Sequence, residues 1–312
     1  MATKSASKCK AIIKIVFGAL ILGTVVAFLT FAVLTYLNPP ETLTKDDTVT
    51  DEAIEEPEPE PELPVEIDFQ TTVDSWANAA SGSKGIIIYD LDLGKVVGTY
   101  NADIKFQTAS IYKLFVVYEG YRRVQKNVWD GGEIAGWTGN TILKCLDLAI
   151  RESHSPCAET LWSKIGHEEL NTIVQTDFDI PSVTASSLMA TPFEIMLMMK
   201  RFYEHPDITD EVLVAQMKDS FLNQPTTTYN WRQGLPSGFS ERVKMYNKVG
   251  WNWNGSYWTI YDDAAILDFA AEKRHFITVV MTSGISYQQI RQFGINIEET
   301  FYDQYVLKNS DQ

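Results

Sequence analysis

A chain of 312 residues is longer than one small domain needs and shorter than two large ones usually take. Hydrophobic residues at 45% and aromatics at 12% allow a sizeable core, while a net charge of −15 argues against a nucleic-acid partner, because phosphate binding needs a basic face. The charge is uneven, with eleven acids and a single lysine falling within residues 41–66.

Residues 15–37 are a run of 23 without a charge, long enough to cross a bilayer as one helix. Lys4, Lys8, Lys10 and Lys14 precede it and acids follow it. The positive-inside rule therefore makes 1–14 a cytoplasmic tail, 15–37 a single-pass signal-anchor in the cell membrane, and everything beyond extracytoplasmic. A cleaved signal peptide fits less well: its apolar core is shorter, and Asn38-Pro39-Pro40 is a poor cleavage site. Residues 38–66, rich in Pro, Glu, Asp and Thr, cannot bury enough apolar surface to fold and read as an extended acidic linker. The remaining 67–312 form one globular domain.

Within it, the apolar β-branched run 85–91, a turn at Asp92-Leu93-Gly94-Lys95 and the run 96–100 read as a β-hairpin. From Ser110 the period becomes helical, with Ile111, Leu114, Phe115, Tyr118 and Tyr121 on one face. Helical stretches are predicted over about 141–151, 157–175 and 191–204. Residues 242–253 and 256–268 flank Asn254-Gly255, a strong hairpin turn, and 275–282 reads as a further strand. A closing helix is predicted over 288–306. Strands at both ends and helices between them predict an α+β domain: an antiparallel sheet built from both chain ends, with an inserted helical subdomain.

Cys9 precedes the apolar run. Cys145 and Cys157 stand twelve residues apart, and a disulfide and two separate buried thiols are both compatible with that spacing. The four histidines are scattered and no C-x-x-C occurs, so no metal or other cofactor is expected.

Three short elements carry the chemistry. Ser110-Ile111-Tyr112-Lys113 places a lysine one helical turn from a serine at a helix N-terminus, where free N–H groups favour negative charge. Alone this is weak, because S-x-x-K also occurs at Ser5, Ser7 and Ser81, none of them opening a helix, and serine is a common N-cap. Ser153-His154-Ser155 follows a helical segment. Lys248-Val249-Gly250 lies on a strand leading into the Asn254-Gly255 turn. Trp251 and Trp253 alternate along that strand and share a face, suited to core packing or to stacking on a ligand. Asp262-Asp263 read as a turn or a solvated strand edge.

In this order the three elements resemble the active-site signature of class A β-lactamases and penicillin-binding proteins. Thr191-Pro192 opening a later helix also looks like that family. The resemblance implies that Ser110 is acylated, that Lys113 assists its deprotonation, and that Ser153 relays a proton to the leaving nitrogen. It implies further that Ser155, Lys248, Gly250 and Trp251 bind substrate, with Lys248 attracting a carboxylate. The backbone N–H groups of Ser110 and Trp251 would form an oxyanion hole. Expected substrates are β-lactams and peptidoglycan stem peptides ending in D-Ala-D-Ala.

The chain departs from the family pattern at three points. Ser155 stands where asparagine is usual, and Val249 where a hydroxyl residue is usual, which leaves Lys248 a larger share of carboxylate binding. The glutamate that activates the deacylating water is not found: Glu168-Glu169-Leu170-Asn171 is near the pattern but has His167 at the glutamate's place. Between Thr176 and Ala190 the acids are Asp177 and Asp179. The expectation is therefore a serine acyl-transfer hydrolase that acylates readily and deacylates slowly, with an efficient β-lactamase, a sensor without turnover and a degenerate member as the alternatives.

Overall fold

The computed structural model describes residues 64–180, 188–224, 232–253 and 258–310. The predicted tail, the 15–37 helix, nearly all of the linker and the Asn254-Gly255 turn lie outside the described residues. Among those described, no helix is long and apolar enough to cross a membrane.

A five-stranded sheet is built from β1 (Ser83–Asp90), β2 (Lys95–Tyr100), β5 (Lys244–Trp253), β6 (Trp258–Phe269) and β7 (Arg274–Ser283). The strands run antiparallel in the order β2-β1-β7-β6-β5, so the central pair joins the two ends of the domain. A two-stranded ribbon of β3 (Phe106–Gln107) and β4 (Met189–Ala190) stands apart.

Period-2 alternation gives the sheet two apolar faces. Ile86, Ile88, Leu267, Phe276 and Val280 face α1 (Gln70–Ala79) and α8 (Tyr287–Ser310), where Phe269 stacks on Phe301 and Trp76 packs tilted against Phe293. Ile87, Ile266, Ile277 and Val279 face the helical subdomain. This comprises α2 (Lys113–Gln125), α3 (Ile142–Arg151), α4 (Ser155–Ile165), α5 (His167–Thr176), α6 (Pro192–Glu204) and α7 (Glu211–Leu222).

Several local features differ from the sequence-based expectations. The 157–175 stretch is two helices, α4 and α5, because Gly166 takes φ +97° and breaks the ladder. The helix expected from Ser110 starts as a 3-10 turn, Ala109–Tyr112, and becomes α-helical at Lys113. Neither α1 nor α7 is anticipated: α1 buries only Val73, Trp76 and Ala77 among polar residues, too sparse a stripe to read. Asp262 and Asp263 are neither a turn nor a solvated edge, since β6 runs through both and buries them. Thr191 caps α6 with Glu194 in a reciprocal capping box, with Pro192 in the first turn.

Cys145 on α3 and Cys157 on α4 are disulfide-bonded, which settles the open alternative and staples the two helices across the turn that holds Ser153.

Candidate active site

The three short elements meet where the helical subdomain abuts the β5 edge of the sheet. Each is held there by its own local structure. Strand β5 can approach the Ser110 turn because Gly250 lacks a side chain: a methyl there would sit 2.5 Å from the Thr108 carbonyl oxygen and 2.9 Å from the Ile111 side chain. Thr108 in turn donates from both its N–H (2.8 Å) and its hydroxyl (3.0 Å) to the Leu188 carbonyl. Between α3 and α4, Ser153 takes φ +54°, and the His154 imidazole Nδ1 accepts from Cys157 N–H at 3.2 Å to cap α4. Ala109 (φ +41°) and Leu188 (φ +52°) also occupy left-handed backbone. Three such residues around one cleft, each costing about 1–3 kcal/mol, persist only because the surroundings impose them.

The polar network centres on the Ser153 hydroxyl. Lys113 Nζ donates to Ser153 Oγ (3.3 Å), to the Ser153 carbonyl (2.5 Å) and to Ser155 Oγ (3.0 Å). Lys248 Nζ donates to Ser153 Oγ (2.9 Å) and to the Val249 carbonyl (2.7 Å). Both lysines are 0% exposed, although β5 is an edge strand. Burial lowers Lys113 to about 8, with the Glu159 carboxylate pulling the other way. Burial also holds Lys248 well below the lysine range, with the charge of Lys113 adding to the effect and Asp263 opposing it. Asp263 is itself pushed up to about 7 by burial and accepts from Asn247 Nδ2 at 3.0 Å.

Two like charges sharing one hydroxyl disfavour each other. The arrangement accommodates one ammonium and one free amine. Burial weighs harder on Lys248 than on Lys113, so a carboxylate arriving at Lys248 is what would move the charge there and leave Lys113 a lone pair to which the Ser153 hydroxyl can donate. The network can therefore take a proton on the Lys113 side and hold an anion on the Lys248 side. No hydrogen bond joins Lys113 to Ser110 among the described residues.

Ser110 is half-buried and lines a cleft of about 590 Å³, together with Tyr112, Ser155, Glu159, His167 and Trp251. Trp162 and His167 stack at 4.2 Å on one wall, and Trp251 stands edge-on to Tyr261 at 5.1 Å. The structure thus brings together all seven residues singled out in the sequence: Ser110, Lys113, Ser153, Ser155, Lys248, Gly250 and Trp251. It adds Glu159, Trp162 and His167, which the motifs miss. The i,i+4 spacing of Ser155 and Glu159 on one helix is the signal that could have found the first of these. The near-match Glu168-Glu169 is no substitute, since Glu169 pairs with Arg123 on α2, and Asp177 pairs with Arg122 at 2.9 Å.

A family model described as the β-lactamase enzyme family matches residues 68–304, nearly the whole described domain. The chain belongs to that family. Among solved structures, the fold is similar to that of PBP-A, at 15% identity and a TM-score of 0.65, covering 78% of this chain and 100% of that one. An ancestral class A β-lactamase is similar at 14% identity and 0.62, covering 74% and 99%. A β-lactamase from Xanthomonas campestris pv. campestris is similar at 12% and 0.63, covering 74% and 96%. No curated protein sequence matches. As a member of the β-lactamase enzyme family, the protein is a β-lactamase-like serine hydrolase.

Proposed function

We propose that this member is acylated at Ser110 by β-lactams and by peptides ending in D-Ala-D-Ala, and that it releases the acyl group slowly. The observation that carries the reading is the convergence on the Ser153 hydroxyl of two buried lysines, one of them Lys113, three residues after Ser110. Neutral Lys113 takes the Ser110 proton as Oγ attacks the carbonyl carbon. The Ser110 and Trp251 N–H groups receive the developing oxyanion, each such donor typically contributing about 2.7–4 kcal/mol. The C–N bond then breaks, and Ser153 passes the proton to the leaving nitrogen. Lys248 and Ser155 hold the substrate's carboxylate end, and an arriving carboxylate favours the charged form of Lys248.

Slow release follows from the acids after α5. Asp177 is tied to Arg122, and between Thr176 and Ala190 the only other acid is Asp179. This favours a D,D-peptidase-like role over efficient β-lactam destruction. Incubation with a fluorescent penicillin tests it: a band that survives denaturing gel electrophoresis supports the reading if the band is lost in Ser110→Ala. Turnover of a D-Ala-D-Ala peptide then separates a peptidase from an acylated sensor.

We propose further that residues 15–37 anchor the chain, with the catalytic domain outside the cell membrane facing peptidoglycan. The 23 uncharged residues and the Cys145–Cys157 disulfide, which persists in oxidising compartments, support this placement. Extraction of the protein from membranes by detergent but not by high salt tests it.

A further inference from the structure

Hydrolysis of an ester on Ser110 requires attack by water, and a base that takes a proton from that water speeds it. The structure assigns that base: we propose that Glu159 on α4 is the carboxylate that activates the hydrolysing water. This rests on the proposed acylation of Ser110.

Three observations carry it. First, Ser155, Glu159, Trp162 and Ser163 lie at i, i+4, i+7 and i+8 on α4 and all line the cleft with Ser110, so one helix face is turned to the reacting centre. Second, Glu159 is the acid in the lining of that cleft. Its charge is felt on the cleft floor by two groups: it opposes the burial that lowers Lys113, and it adds to the burial that pushes the Tyr112 hydroxyl up to about 12. Third, the neighbouring acids have other work. Asp177 pairs with Arg122, Glu169 with Arg123, and Glu194 closes the cap of α6, whereas Glu159 makes no hydrogen bond or ion pair among the described residues.

Glu159 accepts a proton from water as the water oxygen bonds to the ester carbon. The bond from that carbon to Ser110 Oγ breaks, and Oγ takes a proton from the Lys113–Ser153 pair. Glu159 gives its proton to solvent and the lysine–serine pair regains one. The sum is acyl-enzyme plus water giving free acid plus Ser110. Because Glu159 is exposed, its water is not locked in place, and the step runs at a peptidase's pace rather than a lactamase's.

The test uses the full chain, with benzylpenicillin as probe and intact mass as readout after excess probe is removed. The wild-type adduct should decay, and Glu159→Gln should lengthen its lifetime roughly 100-fold, the low end of what a positioned base contributes. Added formate should shorten the lifetime in Glu159→Ala. Glu168→Gln, an exposed acid on α5, should decay like wild type. Equal decay in Glu159→Gln and wild type would overturn the proposal, as would a wild-type adduct that never decays. Absence of any wild-type adduct would instead overturn the acylation of Ser110, and this proposal with it.

Discussion

The two walls of the cleft are built differently. Where the start of α2 meets β5, Lys113 and Lys248 are fully buried, bonded to Ser153 from two directions and framed by strained backbone at Ala109 and Ser153. On the α4–α5 side, Ser155, Glu159, Ser163 and His167 are all exposed. Buried, hydrogen-bonded groups are preorganised, and they act on a developing charge without having to reorient. Exposed groups compete with solvent. On the proposed function, the contrast favours forming an acyl bond over breaking one.

The sharpest way to break that contrast is Ser110→Ala, which should abolish covalent labelling altogether, as read by intact mass. Next, Lys113→Met should slow acylation by roughly 10²–10⁴-fold, the usual contribution of a positioned base, measured by stopped-flow with a chromogenic cephalosporin. An equal loss in release would mean that the two walls share one base.

The disulfide braces the turn between the walls. Replacing both Cys145 and Cys157 by alanine should cost about 3 kcal/mol for a loop of this length, seen as a lower urea midpoint. Gly250→Ala should cost about 1–3 kcal/mol by the same measurement, because the methyl forces β5 away from the Ser110 turn. It should slow acylation as well.

The smallest effect is pH. In the proposed mechanism Lys113 acts as the free amine, and its pKa is lowered to about 8. The amine is the low-population form below that value, so the acylation rate should rise about tenfold from pH 6 to pH 7 and level off above about 8 to 9. A rate independent of pH over that range would exclude Lys113 as the base.

Much of this was legible in the sequence. The hairpins, the Thr191 cap and the order of the three motifs mark the fold, because period-2 runs and capping residues act locally. The site was legible only through the motifs taken together, since S-x-x-K occurs four times in the chain. What the sequence hides is environment. Nothing in Lys248 announces that an edge-strand lysine is fully buried, and nothing in Asp262-Asp263 announces a buried strand interior rather than a turn. Glu159 is hidden for the same reason: its proposed role depends on which face of α4 meets the cleft, and the sequence of α4 does not say which face that is. The break at Gly166 was equally invisible, because the apolar period continues across it.

The most direct test of the central claim is a time course of intact mass on the full chain after a single exposure to benzylpenicillin, with the modified peptide sequenced. The account predicts an added mass equal to one whole penicillin, located on Ser110, formed quickly and lost slowly. An adduct on another residue, no adduct, or hydrolysis too fast for any adduct to accumulate would contradict it.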